Sequence, residues 1–280
     1  MDKGRILDKY AALWGLSDFK QVDYRSVNYI FTCVSPKYGL CVLKIGGKPK
    51  YVENEYYALK EYNGRGFCKV YETDATNGVL LLEHIVPGMR LRAEPDLDRR
   101  LDVFYELSRG LHIKPADERI YPTYMSWVSD ITKYMSGRKD HRLLYGKMAR
   151  AEEICRDLWE KYPEKMLLHG DLHQDNILLG ENDRYRIIDP KGVVGNRVFD
   201  IPRFILNEFY GDIEINDSSY ENFAYIAKIL SGKFRIPEQD IRRLFYVEVC
   251  MAYCWTVSSG GEPKIYKVLF AEKMMDEAFL

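Results

Sequence analysis

Short runs of β-branched, aromatic and other apolar residues, bounded by turn residues, dominate the chain up to about residue 86. These runs predict strands over residues 29–34, 40–45, 67–71 and 79–85. The sequence Ser-Pro-Lys-Tyr-Gly at 35–39 separates the first two runs and predicts a hairpin turn. One helical pattern interrupts the strands over residues 51–62, and Asn63-Gly64 ends it. The first part of the chain is therefore expected to be rich in β structure.

From Asp96 onward, apolar residues recur at helical spacing, for example over 97–111, 151–162 and 241–252. Pro163 ends the second of these runs. A single β-type hairpin, 176–179 and 185–189, breaks the helical pattern. We therefore predict two lobes, a β-rich one over residues 1–86 and a helical one over 87–280, with a junction near Pro87-Gly88.

Composition narrows the class of protein. Hydrophobic residues make up 46% and charged residues 30% of the 280 residues, as in an ordinary globular protein. The 41 basic and 42 acidic residues nearly balance, which argues against a nucleic-acid partner. No apolar run is long enough to cross a membrane. The six scattered Cys predict free buried thiols in a reducing cytoplasm rather than a zinc site. For the oligomeric state, we expect a monomer or weak dimer.

The stretch 166–192 carries the most chemistry. An apolar strand, 166–168, leads into a loop that holds Asp171 and, five residues later, Asn176. The predicted hairpin follows, and Asp189 comes thirteen residues after Asn176. Asn176 and Asp189 flank this hairpin, so their oxygens are expected to be neighbours, and such oxygens suit Mg²⁺. Asp171 is placed to orient or deprotonate a hydroxyl nucleophile. The alternative is that all three are ordinary turn or capping residues.

These residues resemble a known family. The sequence His-Gly-Asp-Leu-His-x-x-Asn at 169–176 resembles the catalytic loop of aminoglycoside phosphotransferases. The sequence Asp-Pro-Lys-Gly at 189–192 resembles the aminoglycoside/hydroxyurea resistance kinase branch, which includes streptomycin 6-kinases. The close match covers roughly residues 166–206. It implies an α+β, bilobal protein-kinase-like fold, with a small β-rich N-lobe and a larger helical C-lobe.

The resemblance implies a role for each matching position. Asp171 would be the catalytic base, and His169 would brace its loop without taking a proton from substrate. Asn176 and Asp189 would hold Mg²⁺, and ATP would be the phosphoryl donor. Asp200 matches a family residue that ties down the backbone of the catalytic loop.

A nucleotide site needs a cation for the phosphates, and the resemblance assigns this role to Lys44. Lys44 lies in the predicted strand 40–45 among apolar residues, where an unpaired ammonium group would be costly. Glu55, in the following helix, is the expected partner, with Glu53 as the second choice. The alternative for Lys44 is a surface residue of an edge strand.

Two further segments would contact the nucleotide. Residues 24–29 replace the glycine-rich loop of protein kinases, so Ser26 and Asn28 are candidates for the phosphates. As turn formers, both residues are also explained without a ligand. The strand that ends near Val86 would serve as a hinge, and the backbone of Glu83 and Ile85 would bind adenine. A plain linker is the alternative for this segment.

The acceptor side is suggested by an acidic segment. Between residues 204 and 227 the chain has no Lys or Arg but five acids, namely Glu208, Asp212, Glu214, Asp217 and Glu221. Clustered carboxylates attract cations, so a cationic, hydroxyl-bearing small molecule such as an aminoglycoside would suit them. A solvated acidic helix and loop is the alternative.

The predicted activity is transfer of the γ-phosphoryl group of ATP to a small-molecule hydroxyl, with an aminoglycoside of streptomycin type as acceptor. A metabolite kinase acting on homoserine, choline, a sugar or hydroxyurea is the alternative. A protein kinase is less consistent with His-Gly-Asp at 169–171, and an inactive nucleotide-binding module is less consistent with the full set of catalytic positions.

Overall fold

The computed structural model describes residues 3–22, 28–209 and 215–277. Within these ranges the strands are β1 Ser17–Gln21, β2 Tyr29–Ser35, β3 Gly39–Ile45, β4 Val70–Asp74, β5 Val79–Glu83, β6 Met166–Leu168, β7 Ile177–Leu179, β8 Tyr185–Ile187 and β9 Val193–Gly195. The α-helices are α1 Lys3–Trp14, α2 Pro49–Tyr62, α3 Leu97–Leu111, α4 Tyr124–Ser136, α5 Arg142–Lys161, α6 Ile201–Glu208, α7 Asp217–Phe234, α8 Glu238–Ser258 and α9 Ile265–Asp276. Strands dominate the N-terminal part and helices the C-terminal part, which confirms the predicted α+β class.

The chain divides into two compact units. The first unit comprises residues 1–93 together with 176–192, and the second comprises 94–175 together with 193–280. The boundary near residue 93 lies close to the predicted junction at Pro87-Gly88. The hairpin 176–192 differs from the prediction, because it belongs to the first unit although its neighbours in sequence belong to the second.

Backbone hydrogen bonds explain the assignment of this hairpin. β7 and β8 pair with each other, and Ile187 also exchanges backbone bonds with Gly66 and Cys68 at 2.8 and 3.0 Å. On the other strand, Leu179 bonds in the same way to Gly88 and Met89. The hairpin is therefore held by the segment that precedes β4 and the segment that follows β5. Such long-range pairing leaves no local signal in the sequence.

The first unit is built on an antiparallel sheet with the order β1-β2-β3-β5-β4 among the described residues. The predicted hairpin turn joins β2 to β3, where Cys33 lies opposite Cys41. One face of the sheet packs its alternating apolar residues against α1. The predicted helix also forms, as α2, and Asn63 ends it in the left-handed conformation with φ +48°.

Three N-terminal features were not predicted correctly. α1 was missed because charges interrupt its apolar face, although Tyr10 is buried in the core of the unit. β1 was missed as well. The predicted strand over 67–71 lies instead at Val70–Asp74, because the preceding residues bond to Ile187 outside the sheet.

The second unit is helical, with one short strand pair, β6 and β9. α8 is its central helix, and residues on all sides of α8 are buried. α5, α6 and α9 pack against α8. β6 lies between β9 and the segment that contains Ile113. The pairing of β6 with β9 fixes the strand from which the 169–175 loop begins, and this loop carries the predicted catalytic residues.

Candidate active site

In the first unit, Lys44 makes two short ion pairs. It lies on β3 with its side chain 5% exposed, and its Nζ is 2.6 Å from Glu55 Oε2 and 2.5 Å from Asp189 Oδ1. Glu53, the second choice from the sequence, pairs with Lys50 instead. Burial lowers the pKa of Lys44, but the two carboxylates outweigh it and raise the pKa overall. Lys44 is therefore a buried, permanently charged ammonium group.

Asp189 is bound by a second lysine. Lys191 Nζ lies 2.8 Å from Asp189 Oδ2, so each carboxylate oxygen faces one ammonium group. Burial raises the pKa of Asp189, but Lys44 and Lys191 outweigh it and hold the pKa well below its usual range. The backbone of Asp189 is left-handed, with φ +58°, a conformation that Asp tolerates better than most residues. The carboxylate is thus ionised and fixed at the end of β8.

Asn176 lies at the same end of the hairpin. Its backbone carbonyl oxygen accepts a 3.0 Å hydrogen bond from the backbone amide of Ile188, the residue before Asp189. One amide and one carboxylate oxygen donor fit Mg²⁺, because Mg²⁺ usually takes one or two protein ligands and completes its shell with water and phosphates. Among the described residues, no cluster of three or more His, Cys, Asp or Glu side chains is arranged to hold a metal. The pair therefore suits an ion that arrives with a nucleotide.

The hinge segment borders a cavity within the first unit. The cavity measures about 270 Å³ and is lined by Glu83–Val86, Gly180–Asn182, Arg184 and Arg186. The Glu83 amide already donates to Lys69 O at 2.9 Å, so an adenine contact at Glu83 would use its carbonyl oxygen. The Glu83 side chain pairs with Arg186 at 3.1 Å. These contacts fix the hinge strand against the hairpin.

Asn28 and Ser26 are the remaining residues that were predicted to contact the nucleotide phosphates. Asn28 Oδ1 accepts a 3.4 Å hydrogen bond from the Gly47 amide, next to the end of β3. Ser26 lies outside the described residues, and its role stays a prediction.

In the second unit, the catalytic loop begins directly after β6. His169 is fully buried, and its Nδ1 accepts a 3.1 Å hydrogen bond from the Asp171 amide. Gly170 has φ +78°, and a Cβ at this position would lie 2.8 Å from both Trp127 and Val193. The close packing and the left-handed backbone explain why this loop has Gly where protein kinases have Arg.

The side chain of Asp200 holds the backbone of the catalytic loop. This side chain is buried and accepts hydrogen bonds from the amides of His169 and Gly170 at 2.9 and 2.8 Å. His112 Nε2 lies 3.0 Å from the same carboxylate. Burial raises the pKa of Asp200, but the contact with His112 and the backbone amides lower it overall. Asp200 thus binds two successive backbone amides of the loop, and His112 is an additional partner that the sequence did not reveal.

Asp171 itself has titratable neighbours that sequence reasoning missed. Arg203 Nε lies 3.4 Å and His173 Nε2 3.9 Å from Asp171 Oδ1. Arg203 in turn is 2.5 Å from Glu248, which accepts a 2.7 Å hydrogen bond from Tyr124. Arg203, Glu248 and Tyr124 come from α6, α8 and α4, whereas His173 belongs to the catalytic loop itself.

The predicted acceptor acids are not gathered in one open cluster among the described residues. Glu208 is 11% exposed, accepts two hydrogen bonds from Arg100 at 2.6 and 3.0 Å and accepts a third from Gln174. Asp217 lies in the exposed first turn of α7. Asp212 and Glu214 lie outside the described residues. Glu208 therefore has a structural partner, which makes a role in acceptor binding less direct than the sequence suggested.

Two predictions from composition can be compared with the structure. All six Cys are buried and unpaired, as expected for free thiols. In the described ranges, none of the helices is both long and apolar enough to span a bilayer.

Comparison with known proteins identifies the family. A profile of the family described as aminoglycoside/hydroxyurea antibiotic resistance kinase matches residues 29–260. A hydroxyurea phosphotransferase from Kitasatospora aureofaciens is 28% identical over 163 residues, which cover 55% of this chain and 46% of that protein. A streptomycin 6-kinase from Streptomyces griseus is 26% identical over 149 residues, which cover 51% and 47%. The chain thus matches about half the length of these curated relatives.

The fold is shared with a solved kinase. The choline kinase LicA from Streptococcus pneumoniae superposes with a TM-score of 0.69 at 16% identity, covering 98% of both chains. LicA has also been solved in complex with AMP. At this identity the likeness establishes a kinase-like fold and nothing finer. The family match, however, spans most of the chain and includes the loop, hairpin and anchor described above. The chain belongs to the aminoglycoside/hydroxyurea antibiotic resistance kinase family.

Proposed function

We propose that this chain is an ATP-dependent phosphotransferase that moves the γ-phosphoryl group to a hydroxyl of a small molecule. The observation that carries the proposal is the fixed catalytic loop, in which Asp200 binds the backbone on both sides of the His169–Gly170 peptide bond. Asp171 follows directly on this loop. The buried Lys44 with its carboxylates supplies the matching nucleotide-binding chemistry in the first unit.

Each residue has a physical task in this mechanism. Lys44 would neutralise nucleotide phosphates, and Asn176 and Asp189 would hold the Mg²⁺ that accompanies them. Bound Mg²⁺ supplies charge neutralisation for the phosphates. Asp171 would accept a hydrogen bond from the acceptor hydroxyl and aim its oxygen at the phosphorus. Because the transition state of phosphoryl transfer is loose, this positioning contributes more than proton removal.

An aminoglycoside of streptomycin type is the first candidate for the acceptor, supported by the family and by the streptomycin 6-kinase among the relatives. Hydroxyurea is the second candidate. It is favoured by the hydroxyurea phosphotransferase relative and by the structural pairing of Glu208, since hydroxyurea carries no positive charge that needs a carboxylate.

The test is an acceptor panel. The chain is incubated with ATP and Mg²⁺ and with streptomycin, other aminoglycosides, hydroxyurea, choline, homoserine or sugars, and each mixture is analysed by mass spectrometry. We expect one class of acceptor to gain one phosphate, and omission of Mg²⁺ to abolish the gain. ATP binding without phosphorylation of any acceptor would favour a nucleotide-binding module instead. Replacing ATP with GTP in the same panel tests the choice of nucleotide.

Asp171→Ala is the matched variant for this panel. We expect the rate of transfer to fall by about 10²- to 10⁴-fold while the affinity for ATP stays within about twofold, because the variant removes only the group that orients the acceptor. Asp157→Ala, which alters an exposed carboxylate paired with Arg243, is the control and should behave like the parent. Equal transfer rates in Asp171→Ala and the parent would contradict the assignment of the base.

A further inference from the structure

The surroundings of Asp171 contain an arginine that the proposed chemistry does not require. Arg203 lies on α6, its side chain is 15% exposed, and its Nε is 3.4 Å from Asp171 Oδ1. The Nε is buried and makes no hydrogen bond with any described residue, so charge rather than a directed hydrogen bond links the two groups. A guanidinium group this close to a carboxylate is a strong electrostatic neighbour.

The position of Arg203 is fixed by other residues of the same unit. Its terminal nitrogen lies 2.5 Å from Oε1 of Glu248 on α8, a side chain that is only 2% exposed. The other oxygen of Glu248 accepts a 2.7 Å hydrogen bond from the buried Tyr124. The guanidinium carbon also lies 5.8 Å from the ring centre of Trp255. Arg203 is thus held against α8, and its Nε faces Asp171 of the catalytic loop.

The other titratable groups around Asp171 do not supply this positive charge. His173 is the second neighbour of Oδ1, but burial lowers its pKa to about 4, so it is neutral near pH 7. His169 is engaged as an acceptor for the Asp171 amide through Nδ1. Asp175 faces His173 at 3.8 Å. Near neutral pH, Arg203 is therefore a group of opposite charge beside Asp171, and the buried carboxyl group of Glu248 also acts electrostatically on Asp171.

We propose that Arg203 is a positioning residue for Asp171, whose guanidinium, oriented by Glu248, keeps the Asp171 carboxylate ionised and turned toward one side. This proposal rests on the proposed function, in which Asp171 orients the acceptor hydroxyl. It predicts a carboxylate that serves as a fixed hydrogen-bond acceptor over a wide pH range. A purely structural role for Arg203, as the partner of buried Glu248, would leave the ionisation of Asp171 unchanged.

The variants are chosen to separate the two roles. Arg203→Met alone leaves Glu248 as a buried carboxylate without its cation, and such a protein risks failing to fold. The double variant Arg203→Met/Glu248→Gln removes both charges and keeps an oxygen for the Tyr124 hydroxyl. Arg203→Lys keeps the charge, and Glu248→Gln alone keeps Arg203. Arg156→Met, on the exposed face of α5, is the control.

The direct measurement is a pH titration of the Asp171 carboxyl by ¹³C NMR, with the signal assigned through its absence in Asp171→Asn. We expect the apparent pKa of Asp171 to be about one unit higher in Arg203→Met/Glu248→Gln than in Glu248→Gln, because a nearby opposite charge commonly lowers a carboxyl pKa by one to three units. The comparison is made with Glu248→Gln because Glu248 also acts electrostatically on Asp171. Arg203→Lys should keep most of the effect of the parent arginine. An Asp171 titration that is identical in the double variant and in Glu248→Gln would overturn the proposal.

The kinetic measurement is the pH profile of kcat/KM with an acceptor identified by the panel. We expect the acidic limb to lie about one unit higher in the double variant than in Glu248→Gln, with KM for ATP unchanged. In the Asp171→Asn background, the same changes should cause no further loss. If no acceptor is phosphorylated by the parent, the proposed function fails, whereas the NMR titration still decides the role of Arg203.

Discussion

The Lys44 cluster of the first unit and the catalytic loop of the second are both built from buried charges, but the charges are used differently. In the first unit, Lys44 and Lys191 face Glu55 and Asp189 through side-chain contacts of 2.5 to 2.8 Å. In the second unit, the carboxylate oxygens of Asp200 accept hydrogen bonds from backbone amides and contact His112. The Lys44 cluster consists of side-chain charges that pair with one another, whereas the Asp200 carboxylate fixes the backbone of the catalytic loop.

This difference leads to one expectation for each unit, and experiments can test both. Changes in the Lys44 cluster should act on nucleotide affinity and leave the fold largely intact, because the remaining charges can still pair or take up a proton. Changes at Asp200 should act on the stability of the fold and on turnover together, because backbone donors would lose their acceptor.

Asp200→Asn has the largest expected effect. The amide side chain turns one acceptor oxygen into a donor, so a buried backbone N–H or His112 is left without its partner. We expect the free energy of unfolding to fall by about 3 to 5 kcal/mol, as for other broken buried charge networks. The measurement is chemical unfolding followed by circular dichroism.

Asp102→Asn is the control for this change, since Asp102 pairs with Lys233 on the surface and is 54% exposed. It should cost no more than about 1 kcal/mol. A loss for Asp200→Asn as small as that of the control would mean that the loop keeps its path without the anchor, and the contrast between the two units would disappear.

Lys44→Met ranks next. The variant removes the buried ammonium group, and Glu55, whose pKa burial already raises, can become neutral by binding a proton. We expect the dissociation constant for ATP with Mg²⁺ to rise by about 10- to 100-fold, equivalent to one charged hydrogen bond. The fold should remain intact, because Asp189 keeps Lys191. Isothermal titration calorimetry measures the affinity.

Lys50→Met is the matched control, because Lys50 is exposed at the start of α2 and pairs only with Glu53 among the contacts described. It should leave ATP affinity unchanged. If Lys44→Met bound ATP as tightly as this control, the cluster would be a structural pair and not the nucleotide-binding group.

The two regions also differ in how far the sequence could predict them. Lys44, Glu55 and Asp189 stand at recognisable positions in a strand, a helix and a hairpin, so a local pattern was enough to name them. The ion pair of Lys44 with Glu55 was expected from the cost of burying an unpaired ammonium group, whereas the ion pair of Lys44 with Asp189 was not predicted. Asp200 was found in the same way, through its place in the family pattern.

His112, Arg203 and Glu248 could not be found by such reasoning. Each lies on a helix or directly after one, and the partner described above lies 32 or more residues away in the sequence, as Asp171 does from Arg203. Helical periodicity predicts which side of a helix is buried but not which helix faces it. The same limit explains the hairpin 176–192, whose unit is decided by backbone bonds to residues 66–68 and 88–89.

His173 offers the smallest and most specific test of the second region. Burial lowers the pKa of His173 to about 4, whereas an unfolded His titrates near 6.5. Between these two values the unfolded chain binds the extra proton, so the stability of the fold falls as the pH drops from 6.5 toward 4. At pH 5.5, protonation of His173 in the unfolded chain lowers the free energy of unfolding by roughly 1 kcal/mol relative to pH 7.5.

His173→Gln removes this contribution of His173. The unfolding free energy of the variant should therefore change less between pH 7.5 and 5.5 than that of the parent. Parallel curves for His173→Gln and the parent would show that His173 accepts a proton in the folded chain, and Asp171 would then have two cations beside it instead of one.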